Sequence, residues 1–480
     1  MKGSEVLLQS LLAEGVDTVF GYPGGQIMTV YDTLHSYADS LRHILVRHEQ
    51  GAIHAAQGYA RTSGKTGVVT VTSGPGATNV VTGLVDAMMD STPVVVVAGQ
   101  VGNDVLGTDA FQEADFLGIT LPITKWSCQV KTAQDIAPTI ARAFYIARSG
   151  RPGPVVVVLT RDAQNGSIDE FSYTRRESLT HFKAIPVPGD DEIQAAADMI
   201  NSARNPFLVY GQGIILSGAE KKLERFLNAT DIPAGSTMLG LSALPAGFPQ
   251  YTGMLGMHGN IAPNQLTQTC DLLISVGMRF DDRVTGRTDA YSPQSKKIHI
   301  DIDQSELNKN VRVDLGVCGD AGAVLERLLP LVKRNEARAD WREVVARCNA
   351  AEDAAVVAPE VRPADGTINM GEVVEAVRRE CGNSAIVVTD VGQNQLITAR
   401  YSAFNRTRSF LTSGGLGTMG FGIPAAIGAK IAAPERPVCL FVGDGGLQMT
   451  IEEFGVIMQE HLGVKMVLLN NNWLGNVRQW

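Results

Sequence analysis

At 480 residues the chain is too long for one hydrophobic core, and about three domains are expected. Apolar residues at 44% and charged residues at 19% exclude a disordered chain, and a net charge of −9 without a Lys/Arg block excludes a nucleic-acid footprint. No run of about 18 apolar residues is present for a membrane span, and six scattered cysteines without a C-x-x-C pair exclude a disulfide or zinc framework and suit a reducing cytoplasm.

The opening MKGSEVLLQSLLAEGV reads as an amphipathic helix, not a signal peptide. Over 1–165, apolar strands alternate with helical patterns: RHILVRH, EQGAIHAAQGYART, GVVTVTS, GATNVVTGLVDAMMD, PVVVVAG and, late, GPVVVVLT. Alternation at this spacing predicts βαβ units and a parallel sheet. A polar stretch near 163–188, with Pro186 and Pro188, reads as a linker. A second α/β region, 188–335, has strands at FLVYGQG, LLISVG and KIHIDID. After a charged helical stretch and VVAPEVRPADG, a third region, 366–480, carries AIVVTDVG and VCLFVGDGG. The fold class is α/β, with three doubly wound parallel-sheet domains.

The third region holds the sharpest chemical signal. RPVCLFVG reads as a buried strand, TIEEFGVIMQEHLG as a crossover helix and VKMVLLN as the next strand. A right-handed crossover lays the two strands parallel, so Asp444 and Asn471, 27 positions apart, meet at one sheet edge. Ligands of open α/β sheets bind at that edge. A carboxylate, an amide oxygen and a nearby backbone carbonyl are hard ligands that suit Mg²⁺ holding a diphosphate. Gly443 and Gly445 allow close approach of backbone and phosphate. By itself GDG is as well explained by a strand-end turn; the NNN at the next strand end tips the balance.

This spacing resembles the diphosphate-binding motif of thiamine diphosphate (ThDP) enzymes, and LVRHEQGAIHAAQGYAR resembles the segment that supplies their catalytic glutamate, with Glu49 in that position. A carboxylate near the pyrimidine ring nitrogen favours its protonated form, and acid–base catalysis is relayed through the cofactor. Without that context, Glu49 is an ordinary favourable acid at a helix N-terminus. FGYPGG, TSGPGATN, GTDAFQE, SGRPGPV, MLGMHG, RFDDRVTG, HIDID and LTSGGLGTMGFGIPAAIGA, in that order, extend the likeness across nearly the whole chain. Together they resemble the catalytic (large) subunit family of acetohydroxyacid synthases, also called acetolactate synthases.

The resemblance implies a pyrimidine-binding domain (1–165), a central FAD-binding domain (188–335) and a diphosphate-binding domain (366–480). It assigns Mg²⁺ to Asp444, Asn471 and the Trp473 carbonyl. Val391, Gly392, Gln393, Gly443, Gly445 and Gly446 would line the diphosphate; Gly417 and Met419 the aminopyrimidine, Met419 as the wedge under the bent cofactor. Phe111 and Gln112 would stand beside Glu49 in the substrate site, and Lys125 near its entrance, though a surface lysine is equally ordinary there. For FAD the matching positions are Arg151, Gly211, Gly213, Thr237, Met257 and His258, then Gly277, Arg279, Asp282, Asp301, Ile302 and Asp320.

The implied reaction decarboxylates pyruvate and joins the two-carbon unit to a second 2-ketoacid, pyruvate or 2-ketobutyrate, on the way to valine, leucine and isoleucine. FAD would be structural, as no net electron transfer occurs. Arg283 matches the residue that holds the second acid's carboxylate, and Trp480 the residue that favours the larger acceptor. One methylene is worth only about 1–3 kcal/mol, so this preference is a ratio. The family also implies a homodimer or homotetramer, because Glu49 acts across subunits, and a small regulatory subunit. Departures are Arg161 for lysine, Asn394 for histidine, Gly446 for serine, Gln212 within a glycine run and Gly102 for proline. Family members continue past the position of Trp480, so a C-terminally truncated chain is expected. Two other readings stay open at this point: a related ThDP–FAD enzyme such as pyruvate oxidase, and a catalytically silent chain that only assembles with partners.

Overall fold

A computed structural model describes residues 1–180 and 185–479. Its chain separates into two compact units: Met1–Ala184 with Val387–Gly392 and Leu411–Trp480, and Ile185–Ile386 with Gln393–Phe410. Three sheets are formed, two of them associated with the first unit and one with the second.

The first sheet contains β1 (Thr18–Gly21), β2 (Arg42–Leu45), β3 (Gly67–Val71), β4 (Val94–Gln100), β5 (Trp126–Val130) and β6 (Pro154–Thr160), in the order β2-β1-β3-β4-β6-β5, with every pairing parallel. Its central strands, VVVVAGQ and PVVVVLT, are buried throughout. Helices cover both faces of such a sheet, which is why these strands read as unbroken apolar runs instead of alternating ones. The chain steps from β1 outward to β2 and returns to β3 on the other side, so the strand order reverses between β1 and β3.

The second unit repeats this plan with β7 (Pro206–Tyr210), β8 (Ala234–Ser236), β9 (Tyr251–Met254), β10 (Leu272–Val276), β11 (Lys296–Asp301) and β12 (Leu315–Cys318). The order is β12-β11-β10-β7-β8-β9, again parallel, with the reversal between β7 and β10. A core of Leu208, Tyr210, Ile274, Ile298, Phe226 and Leu325 packs helices onto one face. The third sheet has the order β14-β13-β15-β16, from β13 (Ile386–Thr389), β14 (Phe410–Leu411), β15 (Val438–Gly443) and β16 (Val464–Leu469). Its reversal lies between β13 and β15.

Two elements differ from expectation. The crossover after GDG is not one helix. Helix Asp444–Met449 ends at Thr450, whose backbone leaves the helical region (φ −139°, ψ 32°) and whose hydroxyl donates to the Gly420 carbonyl at 2.9 Å; a second helix then runs Phe454–Gln459. Likewise GATNVVTGLVDAMMD forms a single turn, Pro75–Thr78, and a separate helix, Val81–Met89.

Candidate active site

In the first unit the carboxyl ends of β13, β15 and β16 carry the residues singled out in the third region. Gly443 pairs in register with Leu469, so Asp444 and Asn471 follow immediately at adjacent strand ends, as the βαβ reading requires. Asp444 opens its helix, and the Asn471 amide oxygen accepts from the Trp473 N–H at 3.0 Å. Trp473 is half exposed, with the Arg478 guanidinium 3.8 Å above its ring. Met419 and Gly445 are neighbours: a Cβ at Gly445 would lie 3.3 Å from Met419 Cε and 2.9 Å from Leu474 Cδ2. Gly417 has φ +73° and faces the Val391 side chain, and Gly392 has φ +133°. Such backbone is open to glycine and strained for other residues. The position therefore offers hard oxygen donors beside a glycine-lined floor, which suits a magnesium diphosphate. Gln393 begins helix Gln393–Tyr401, which groups with the other unit.

Glu49 is the first residue of helix Glu49–Ser63, directly after β2. His48 caps that helix through Nδ1, which accepts from the Gln50 N–H at 3.1 Å. The Glu49 carboxylate accepts from Asn79 Nδ2 at 2.9 Å and lies over Gly76, where a Cβ would be 3.1 Å from Oε1. Two residues earlier in the same loop, Gly74 abuts the Gln112 backbone, 2.8 Å from the Gln112 carbonyl oxygen to a Cβ there. The loop after β3, at the first sheet's reversal, thus brings Glu49 and Gln112 to one place. Gln112 sits in the left-handed region at φ +64°. Glu113 ties its loop down by accepting from the Gly107 and Ala110 amides at 2.5 and 3.2 Å. Phe111 is 84% exposed.

Lys125 does not join this group. It precedes β5, at the amino edge of a parallel sheet whose carboxyl edge carries Glu49, and its ammonium donates to the Ile146 and Ser149 carbonyls at the end of helix Ile136–Arg148. A helix C-terminus with unpaired carbonyls is a natural seat for a cation. Trp480 lies outside the described residues.

In the second unit, the loops after β7 and β10 touch backbone to backbone. A Cβ at Gly211 would lie 2.5 Å from the Gly277 oxygen, and one at Gly213 2.6 Å from Gly277 Cα. The Gly213 N–H donates to the Gly277 carbonyl at 2.9 Å, and Gly277 has φ +56°. These glycines occupy the sheet's reversal point, where nucleotides bind in open α/β folds. The Thr237 N–H donates to the Tyr210 carbonyl at 2.9 Å, and buried Asp301 ends β11 next to Ile302. Asp320 caps helix Ala321–Leu328 and accepts from Ser217. Met257, His258 and Arg283 form a second cluster: the Met257 N–H donates to the Arg283 carbonyl at 2.9 Å, and the guanidinium approaches the Met257 sulfur at 3.8 Å. Burial, then the charges of Arg283 and Arg400, lowers the His258 pKa. Arg279 stands beside Asp281, and Asp282 is exposed. Arg151 belongs to the first unit and donates to Ser91 Oγ at 2.9 Å.

Sequence reading passed over two acids. Asp390, at the end of β13, is fully buried, and its carboxylate accepts from the amides of Val391, Gly420 and Gly422 at 2.8–3.1 Å. A Cβ at Gly446 would stand 2.3 Å from Asp390 Oδ1, so Asp390 occupies the space a larger side chain at 446 would need. An acid ending an apolar strand, VVTD, was the available signal. The other is Glu453. Its Oε1 accepts from the Arg47 and His48 amides, both at 3.0 Å, and so clamps the segment leading into Glu49; Gly51 leaves room for it.

Burial pushes the Glu453 carboxyl up from 4.5 to about 7. Its neutral form is therefore favoured in the folded state. The stability it contributes is complete below pH 4.5 and is lost as pH rises through 7, a change of order 3 kcal/mol. Glu453→Gln keeps an accepting oxygen and cannot ionise. Its melting temperature relative to wild type should rise between pH 5 and pH 8. A difference that does not change with pH would exclude this titration.

Comparisons with known proteins identify the family. Residues 1–119 match the thiamine pyrophosphate enzyme N-terminal TPP binding domain, 193–328 the central domain and 390–480 the C-terminal TPP binding domain. The acetolactate synthase large subunit of Lactococcus lactis is 43% identical over 478 residues, covering all of this chain and 82% of the relative. The isozyme 2 large subunit of Escherichia coli is 43% identical over 489 residues, covering all of this chain and 85% of the relative. The Mycobacterium leprae acetolactate synthase is 44% identical over 485 residues, covering all of this chain and 77% of the relative. Three thiamine pyrophosphate domains in order, and such identity along the entire chain, place it in the acetolactate synthase family of thiamine pyrophosphate enzymes.

Proposed function

We propose that the chain is an acetohydroxyacid synthase catalytic subunit, which decarboxylates pyruvate and ligates the resulting two-carbon unit to pyruvate or 2-ketobutyrate. The observation that carries this is identity of 42–44% to acetolactate synthases along all of this chain, with Glu49, Asp444 and Asn471 all at carboxyl strand ends. When bound, ThDP supplies the carbon nucleophile and the electron sink.

The chain's own groups do the rest. Asp444, Asn471 and the Trp473 carbonyl would hold Mg²⁺ for the diphosphate, and Val391, Gly392, Gln393, Gly443 and Gly445 would contact the diphosphate. Gly417 and Met419 would seat the pyrimidine, and Glu49 would favour a proton on its ring nitrogen. Gln112 and Phe111 face the substrate. Arg283, whose nearest carboxylate is 3.7 Å away and whose side chain is two-thirds exposed, is available to grip the second acid's carboxylate. Trp480 is assigned the preference for the larger acceptor. The glycine contact at the β7/β10 reversal supports a structural FAD.

Two or more copies assemble, with the small regulatory partner suggested by the "large subunit" in the relatives' names. All six cysteines are free thiols, and no described helix is long and apolar enough to cross a membrane; both features fit work in the cytoplasm. Domain limits of 1–165, 188–335 and 366–480 go with this reading.

Purified protein given ThDP, Mg²⁺, FAD and pyruvate should form acetolactate with no electron acceptor. Turnover that requires an acceptor and yields acetate or acetyl phosphate would replace this reading with an oxidase.

A further inference from the structure

Behind the loop that carries Gly417 and Met419 lies a buried acid pair with no place in the assignment above. Asp86 and Asp90 come from helix Val81–Met89 and the residue that ends it, and their side chains are at most 1% exposed. Asp90 takes one glycine amide on each oxygen, Gly415 N–H at 2.7 Å on Oδ1 and Gly414 N–H at 2.8 Å on Oδ2. Arg61 donates to Asp90 Oδ2 at 3.3 Å and to the Thr412 carbonyl at 2.7 Å. Asp86 accepts the Ser413 hydroxyl, whose oxygen in turn accepts the Thr418 N–H at 2.8 Å, and it accepts the Thr418 hydroxyl at 3.3 Å. His54, 3.8 Å from Asp86, adds no charge at neutral pH, since burial lowers its pKa to about 3.

The two acids thus grip Ser413, Gly414, Gly415 and Thr418 from behind. Glycine-rich backbone has many conformations to lose, and these bonds select one. Burial raises the pKa of both acids and the Arg61 guanidinium opposes this; in either form, leaving their buried donors unpaired is costly. We infer that Asp90, backed by Asp86, is the positioning residue for the loop 412–418 and so sets the affinity for ThDP without touching it. This rests on the proposed function, because ThDP is the ligand that the loop would serve.

Asp90→Asn has nearly the same shape but turns an NH₂ toward one glycine amide and removes the charge beside Arg61. Three readouts apply to the purified chain: hydrogen exchange at Gly414 and Gly415 without cofactor, ThDP binding by calorimetry with Mg²⁺, and the split between kcat and the KM for ThDP. Exchange at the two glycines should accelerate. ThDP affinity should weaken ten- to hundred-fold, while kcat at saturating ThDP recovers to within a few-fold of wild type. Ser413→Ala, which removes one bond and keeps the acid pair, should show the same pattern more weakly; it decides the matter if Asp90→Asn does not fold. Wild type that binds ThDP together with variants that bind it equally tightly would overturn this inference alone. Wild type that does not bind ThDP would overturn the proposed function and this inference with it.

Discussion

Gly428→Ala should cost the protein most of its stability, although alanine for glycine inside a helix ordinarily stabilises by about 0.5–1 kcal/mol. Helix Glu49–Ser63 packs on the first sheet and helix Gly422–Ala432 on the third, and the two helices pack on each other. They meet through glycine. A Cβ at Gly428 would lie 1.8 Å from the Ala55 carbonyl oxygen and 2.7 Å from the Tyr59 nitrogen. From the other side, a Cβ at Gly58 would lie 2.1 Å from the Ala425 oxygen and 2.8 Å from its Cα. These obstacles are backbone, so no rotamer change relieves them. Nor can either helix back away, as residues 51–62 and 422–429 are all buried. Separating the helices would open a close-packed interface, so overpacking here belongs at the upper end of its range, about 4 kcal/mol or more. Soluble yield should fall, and the melting temperature should drop by about 10 °C. Gly58→Ala should behave alike. Gly247→Ala, with nothing within 4 Å of the new methyl, is the control and should melt like wild type. A Gly428→Ala protein as stable as that control would mean that the two helices are not so closely apposed.

That contact also shows where sequence reading stops. The long central strands were plain as apolar runs, because a strand covered on both faces has nothing polar to show. The short strands β1, β8, β9, β12 and β14 and the edge strand β5 were not read. They have two to five residues, and WSCQV is only partly buried, so neither length nor pattern sets them apart. Gly58 and Gly428 look like poor helix residues until the second helix is in view. The same holds for the acids. Asp444 and Asn471 stood out because motif spacing puts them at adjacent strand ends, and Glu49 because its segment resembles the family's. Asp86, Asp90 and Glu453 look in sequence like any solvated acid, and only the fold reveals that each, like Asp390 at its strand end, is buried against backbone amides or hydroxyls. Lys125, placed near the site entrance by the resemblance, donates to the carbonyls at a helix end, a contact that its sequence surroundings do not announce.

Glu49→Gln should lower kcat by about 10²- to 10⁴-fold, the usual worth of a positioned acid–base group, and leave the fold intact. The carboxylate has two separable jobs here. As the first residue of a 15-residue helix it gains from the helix dipole, worth about 0.3–1 kcal/mol, which an amide forfeits with little effect on folding. As the proposed partner of the cofactor's ring nitrogen it must carry a negative charge that favours a proton there, and an amide cannot. Asn79 donates to Glu49 Oε2 at 2.9 Å, and glutamine can still accept that bond through its carbonyl, so the side chain's position is preserved while its charge is removed. Melting temperature and FAD content should therefore match wild type, and the KM for pyruvate should change much less than kcat. Glu49→Asp keeps the charge but withdraws it by one methylene, and should fall between the two. If Glu49 served the helix alone, Glu49→Gln would retain activity within about threefold, with any loss tracking the small loss of stability. That result would remove Glu49 from the active site and leave the Asp444–Asn471 strand ends as a diphosphate site lacking its acid–base partner.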